Sequence, residues 1–94
     1  MHNKKAHIGQ LDSVITRLHS CGTVHETSEP VHELSGGKTV WRGQVEVSSL
    51  INHPKAKRAY AWSQRDAERK RFIVMLELPP VVDAKTAVQA VLTQ

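Results

Sequence analysis

Hydrophobic residues recur along this chain with two different spacings, and those spacings predict its helices and strands. Between residues 8 and 21 they return every three or four positions, which is typical of one side of an amphipathic helix. Gly22 then predicts the end of that helix, because glycine adopts the left-handed conformation of a helix stop without strain. A second stripe of this spacing covers residues 84–92, and Asp83 directly before it fits an N-cap. The chain is therefore predicted to have a helix near each end.

Alternation of apolar and polar residues predicts strands in the middle of the chain. The period of two is clear over residues 39–47 and again over 58–63. Residues 70–78 are apolar on both faces, which predicts a strand inside the sheet that is covered on both sides. A turn at residues 52–54 and a hairpin connection at residues 64–69 separate these three strands.

Two segments lack a clear period. Residues 23–37 fit either a loop or an edge strand. Pro30 excludes a central strand, because proline cannot donate a backbone hydrogen bond to a neighbouring strand. The Gly-Gly pair at 36–37 marks a break before the next strand. At the amino end, residues 1–6 are predicted to be disordered.

Together these elements predict one small α+β domain over residues 1–94. We expect a three- or four-stranded antiparallel meander with an N-terminal and a C-terminal helix packed on one face of the sheet. A core of this size is marginally stable, so pairing of edge strands into a homodimer is a further expectation. The residues expected in the core are Leu11, Ile15, Leu18, Trp41, Val45, Val47, Phe72, Val74, Leu76, Leu78, Val88 and Val91.

Length and composition exclude several classes of protein. With 94 residues, the chain is too short for a doubly wound nucleotide-binding fold or a barrel enzyme. No segment approaches the roughly 20 apolar residues that span a bilayer, and no apolar region follows the charged N-terminus as in a secretory signal. The single cysteine, Cys21, cannot form an internal disulfide, which indicates a reducing, cytoplasmic location.

Positive charge is concentrated in the middle of the chain. The formal net charge is +4, yet residues 36–72 hold nine basic and three acidic residues, which gives this segment a net charge of +6. The segments on either side each carry a small negative excess. A local excess of this kind favours an anionic partner, either nucleic acid or an acidic protein surface.

Aromatic residues fall in the same basic stretch, and this combination suggests a binding function. Basic side chains neutralise phosphates, and exposed aromatic rings stack on unpaired bases. We therefore expect a non-enzymatic module that binds nucleic acid through a basic strand and hairpin at residues 55–71. Whether its two strand aromatics stack on bases or fill the core stays open, because both lie on one face of a predicted strand. The candidate binding residues are Lys55, Lys57, Arg58, Tyr60, Trp62, Arg65, Arg69, Lys70 and Arg71.

Two other functions stay open. A regulatory or inhibitory module would use the same cations to dock an acidic protein partner. A small metal or thiol protein would be centred on His19, Cys21 and His25, although their spacing matches no zinc template. The sequence contains no motif typical of a hydrolase nucleophile, a metalloprotease or a phosphate-binding loop, so we expect no enzyme activity, metal or cofactor.

Overall fold

A computed structural model describes residues 4–66 and 69–93 of the chain. Its elements are α1 (Lys4–His19), β1 (Gly22–Ser35), β2 (Lys38–Ile51), β3 (Arg58–Asp66), β4 (Arg69–Leu76) and α2 (Ala84–Leu92). The strands form one antiparallel sheet in the order β1-β2-β3-β4. The predicted α+β class, the meander and the two terminal helices are confirmed. α1 begins within residues 1–6, which we expected to be disordered, and residues 1–3 lie outside the described part.

The two helices pack on opposite faces of the sheet, so the expectation that they share one face is wrong. Side chains alternate along β3, which presents two alanines to one face and Tyr60 and Trp62 to the other. α1 packs on the alanine face and α2 packs on the aromatic face. Alanines are small, so α1 packs on this face although it carries no large apolar side chain from β3. The α1 cluster is Leu11, Ile15, Ala59 and Ala61, and the α2 cluster includes Val31, Val45, Val47, Tyr60, Trp62, Val81, Ala84, Ala87 and Val88.

β4 lies at an edge of the sheet, and the expectation that it lies inside the sheet is wrong. Its apolar residues do meet packing on both sides, as its sequence predicts. Phe72, Val74 and Leu76 pack against the α1 cluster, whereas Ile73 and Met75 pack against the α2 cluster. The two helices therefore cover both faces of β4, but no further strand lies beside it in the described ranges 4–66 and 69–93.

The segment 23–37 forms the opposite edge of the sheet as most of β1, so the edge-strand interpretation is correct. Pro30 lies in this edge strand, where its missing N–H is tolerated. The pairing of β1 with β2 skips one residue on each strand, Glu26 and Val40, and these two are bulges. Both glycines of the pair 36–37 have positive φ, at 59° and 79°, and make the turn between β1 and β2.

The end of α1 differs from the expectation in detail. Ser20 takes the left-handed conformation with a φ of 52°, so it ends the helix in place of Gly22. Cys21 lies just beyond the helix and is buried. Two residues expected in the core are exposed instead: Leu18, at 60%, lies in the last turn of α1, and Leu78, at 37%, lies beyond the end of β4.

α2 covers residues 84–92 as predicted and starts at a complete capping box. The Asp83 carboxylate accepts a hydrogen bond from the backbone N–H of Thr86 at 2.8 Å. The Thr86 hydroxyl accepts one from the backbone N–H of Asp83 at 3.0 Å. These bonds satisfy donors that a helix start leaves without intrahelical partners, which is why the sequence signal at Asp83 was reliable.

The two hairpins of the sheet diverge from a short shared ladder. β2 and β3 pair only where residues 46–49 meet residues 58–61. Beyond that ladder, β3 pairs with β4 alone as far as the pair Asp66–Arg69, so the end of this hairpin is a two-stranded ribbon. Trp41 and Trp62 pack across the divergence in an edge-to-face contact, with ring centroids 5.6 Å apart.

Candidate nucleic-acid interface

The basic segment 55–71 is divided between two ends of the molecule. Lys55 and Lys57 precede β3, whereas Arg69, Lys70 and Arg71 start β4 at the far end of the hairpin. The ends of β3 lie about 26 Å apart for a nine-residue strand that rises about 3.3 Å per residue. The nine candidate residues therefore do not form one continuous surface, although they are close in sequence.

The two aromatic residues of β3 belong to the core. Tyr60 is 3% exposed and Trp62 is 1% exposed. The Tyr60 hydroxyl donates to the Glu77 carboxylate and lies 3.1 Å from the Val82 carbonyl oxygen. Burial, together with the hydrogen bond to Glu77, raises the pKa of Tyr60. The Trp62 indole N–H donates to Gln64 Oε1 at 3.3 Å. Neither ring is available to stack on a base in this structure.

Arg58 is held by two carboxylates and is not a free phosphate ligand. Its Nε lies 2.9 and 3.2 Å from the two carboxylate oxygens of Glu26, and its Nη1 lies 3.8 Å from Glu77. Glu26 also accepts a hydrogen bond from the Ser49 hydroxyl. The bonds from Ser49 and Arg58 lower the pKa of Glu26, and the bond to Glu26 raises the pKa of Arg58. The bulge at Glu26 lets β1 supply this carboxylate.

Arg69, Lys70 and Arg71 are exposed at the end of the β3–β4 ribbon, and we call them the basic hairpin end. Alternation along β4 directs Lys70 to one face of the ribbon and the two arginines to the other. The Lys70 amine lies 5.3 Å from the centroid of the Phe72 ring, in cation–π range, which positions it along the strand. Arg65 pairs with Lys70 in the strand register, but its side chain lies outside the described part.

Lys55 and Lys57 are exposed around a small loop that His53 organises. The ring Nδ1 of His53 accepts hydrogen bonds from the backbone N–H groups of Lys55 and Ala56, at 3.1 and 2.9 Å. The His53 ring also meets His19 of α1 edge-on, with centroids 5.9 Å apart. The two lysines are therefore presented at the end of the molecule where α1 finishes and β1 begins.

The residues of the metal or thiol hypothesis are not brought together. His19 contacts His53, and Cys21 is buried. The Nε2 of His25 lies 2.9 Å from an oxygen of Glu46, which also accepts a hydrogen bond from Ser28. Within the described residues, no three His, Cys, Asp or Glu side chains are grouped to hold a metal ion.

One surface feature was missed in the sequence because it combines residues that are far apart along the chain. A groove of about 320 Å³ lies between the end of the β1–β2 hairpin and the end of α2. Leu34, Val40 and Leu92 line it and are 59%, 49% and 41% exposed, beside the carboxylate of Glu33. Val40 is the bulge residue of β2, and no alternation pattern predicts on which side a bulge residue lies.

Comparison with known proteins gives no further guide to this interface. No family model, curated protein or solved structure matches the chain. No helix among the described residues is long and apolar enough to cross a membrane. The function therefore has to be inferred from the chemistry of the surfaces themselves.

Proposed function

We propose that this chain is a non-enzymatic module that binds the phosphate backbone of double-stranded nucleic acid through its basic hairpin end. The observation that carries this proposal is the run of three exposed cations, Arg69, Lys70 and Arg71, on a ribbon that extends beyond the β2–β3 ladder. Arg and Lys contacts to phosphates supply most of the affinity of sequence-independent binding. The single cysteine, Cys21, is compatible with the reducing cytoplasm as the place of this function.

The shape of the ribbon suits a groove of a duplex. The major groove of B-DNA is about 12 Å wide and admits a two-stranded β-ribbon. Lys70 lies on one face of the ribbon and the two arginines on the other, so a ribbon in the groove would direct cations toward the phosphates on both sides. None of these contacts reads a base edge, so we expect little sequence preference.

Buried aromatics favour duplexes over single strands as the ligand. Proteins that bind single strands rely on stacking, which contributes about 1–3 kcal/mol per base. Tyr60 and Trp62 are in the core, and Phe72 is partly buried under Lys70. Affinity then has to come from charge, and it should fall steeply as the salt concentration rises.

Two double variants test this proposal, because they remove the same charge from opposite ends of the β3–β4 hairpin. Fluorescence anisotropy with a labelled random-sequence duplex, at two salt concentrations, measures affinity and its salt dependence. Replacing Arg69→Gln and Lys70→Gln should weaken binding about tenfold or more and reduce the slope of log K against log salt by about 2. Lys55→Gln with Lys57→Gln is the matched control and should change affinity less than about threefold.

Three results of this experiment would contradict the proposal. Equal losses in both double variants would mean that only the overall charge matters. Absence of duplex binding even at low salt would exclude nucleic acid as the partner. Tighter binding to single strands than to duplexes would show that bases are stacked by groups other than the buried aromatics. Thermal unfolding of each variant verifies that the fold is intact before binding is compared.

A protein partner is the second candidate function, and the exposed groove favours it. Glu33 lines this groove together with three exposed apolar side chains, a chemistry that suits an apolar segment carrying a cation. An acidic partner would instead need the basic hairpin end, the same surface that we assign to phosphates. Titration with polyglutamate distinguishes an acidic protein from nucleic acid as the partner of this surface. If polyglutamate binds only when Arg69 and Lys70 are present, and the duplex does not bind, the acidic protein is favoured.

A further inference from the structure

The outer edge of β4 presents unpaired backbone groups. The N–H of Glu77 donates to the carbonyl oxygen of Arg58 at 2.9 Å, which fixes the phase of the β3–β4 ladder. Because successive residues of an antiparallel strand point their backbone groups to opposite sides, the odd-numbered residues face β3. The backbone groups of Lys70, Phe72, Val74 and Leu76 therefore face outward, where the described chain has no neighbouring strand. Of these groups, the Leu76 carbonyl oxygen accepts a hydrogen bond from the Leu78 N–H at 2.8 Å, so a new strand would share this acceptor.

The two edges of the sheet differ in how they are protected. β1 carries Pro30, a bulge at Glu26 and further glutamates at 29 and 33, and these features oppose pairing with another strand. β4 carries three cations, but they are confined to its first three residues, 69–71, whereas its five consecutive apolar residues, 72–76, are all partly exposed and include no proline or bulge. An apolar edge without such protection is a template for strand addition.

We infer that two copies of this chain associate by pairing their β4 strands antiparallel, centred on Val74. This register places Phe72 opposite Leu76 of the second copy and Ile73 opposite Met75 of the second copy, so all five apolar residues meet apolar partners. A shift of the pairing by one residue would set apolar side chains against the opposite face of the second sheet. In the pairing centred on Val74, the outward-facing residues Phe72, Val74 and Leu76 form the hydrogen-bonded pairs across the new ladder.

Charge supports the same register. Arg71 lies before the apolar run, and Glu77 follows β4 on the same face, where its carboxylate contacts the Tyr60 hydroxyl and lies 3.8 Å from Arg58. In the antiparallel pairing centred on Val74, Arg71 of each copy lies opposite Glu77 of the other. The two-fold symmetry makes this contact twice, and opposite charges directly across a strand pair are stabilising. The same symmetry keeps α1 of both copies on one side of the joined sheet and α2 of both copies on the other.

Hydrogen exchange tests this inference without any substitution. In the separate chain, the outward amides of Phe72, Val74 and Leu76 have no strand partner, so they should exchange fast at low protein concentration. At a concentration where sedimentation equilibrium gives twice the chain mass of 10.5 kDa, the same amides should become protected. Protection that does not change with concentration, or a chain that stays at its single mass at millimolar concentration, would overturn the inference.

Two variants make the test specific to this edge. Arg71→Glu opposes two carboxylates across the pair and should raise the dissociation constant of the dimer about tenfold or more. Arg42→Glu makes the same charge change on an exposed residue of β2 and should leave the dissociation constant within about twofold. Val74→Pro removes an outward N–H at the centre and should abolish the dimer, while an unchanged dimer in both edge variants would contradict it. No nucleic acid is present in these experiments, so they succeed or fail independently of the proposed function.

Discussion

Neighbouring residues at the start of β3 show how far residue type determines a role. Lys57 and Arg58 are both cations in the basic segment, and both fitted a phosphate site equally well. Lys57 stays exposed, whereas Arg58 is placed by the strand beside Glu26 and Glu77. The difference comes from residues 32 and 19 positions away in the chain, which no local pattern reveals.

Asp83 is a residue whose role was predictable, because its partners are local. Asp83→Ala removes the acceptor for the N–H of Thr86 and should cost about 1 kcal/mol of unfolding free energy at neutral pH. Urea unfolding followed by circular dichroism measures this. Gln89→Ala, on the exposed side of the same helix, is the control and should stay within about 0.5 kcal/mol of the wild type.

The stabilisation by Asp83 should depend on pH in a definite direction. Hydrogen bonds from the backbone and hydroxyl of Thr86 hold the pKa of Asp83 below its usual value. A carboxyl whose pKa is lower in the folded state stabilises the fold above its unfolded-state pKa and loses that contribution as pH falls through the folded-state pKa. The difference between wild type and Asp83→Ala should therefore shrink as pH drops from about 4 toward about 2. A difference that is constant over this range would mean that the cap does not depend on the charge.

At the scale of elements, the positions of helices and strands could be read from local spacing, but their environments could not. The apolar stripe of α1 predicted a helix and placed both Ile15 and Leu18 in the core. Only Ile15 is buried, in the cluster with the alanines of β3, whereas Leu18 in the last turn of α1 is exposed and is not part of that cluster. Likewise, the apolar residues on both faces of β4 correctly predicted that both faces are covered. They did not predict that β4 lies at an edge of the sheet, because strand order depends on pairing between distant segments.

The packing of α1 predicts that the stability lost by shortening an apolar side chain depends on how far that side chain is buried. Ile15→Val removes one methylene from a fully buried side chain and should cost about 0.5–1.5 kcal/mol of unfolding free energy. Leu18→Ala removes three carbons from a side chain that is 60% exposed and should stay within about 0.5 kcal/mol of the wild type. Equilibrium unfolding in urea gives both values. A larger loss for Leu18→Ala than for Ile15→Val would contradict the packing of α1 described above.

At the scale of the molecule, the sequence predicted an α+β meander but not its division into two diverging hairpins. That division also decides the candidate site, because it makes the end of β3–β4 a ribbon and leaves Lys55 and Lys57 about 26 Å away. The burial of Tyr60 and Trp62 was open from the sequence, since a single strand does not reveal which of its faces meets a helix. Long-range pairing and helix docking are the two kinds of information that spacing along the chain does not contain.

The divergence of the hairpins predicts an uneven distribution of local stability. The ladder between residues 46–49 and 58–61 lies at the middle of the sheet, where both faces are covered and each strand has two neighbours. Amides of the ribbon end, by contrast, belong to a hairpin with one ladder and exposed side chains. Opening of that end exposes little apolar surface, so it should occur at a much lower free energy than unfolding of the centre.

Hydrogen exchange followed by NMR measures this distribution residue by residue. At low protein concentration, the amides of residues 58–61, which lie between β2 and β4, should exchange only through global unfolding. The amides of residues 69 and 71 in the ribbon, which face β3, should exchange at least about tenfold faster. Amides beside the turn at 36–37, at the end of the other hairpin, provide an internal comparison and should also exchange faster than the centre. Equal protection from Arg58 to Asp66 would mean that the ribbon is as stable as the central ladder. The basic hairpin end would then meet a duplex as a rigid element and not as one that adjusts to the groove.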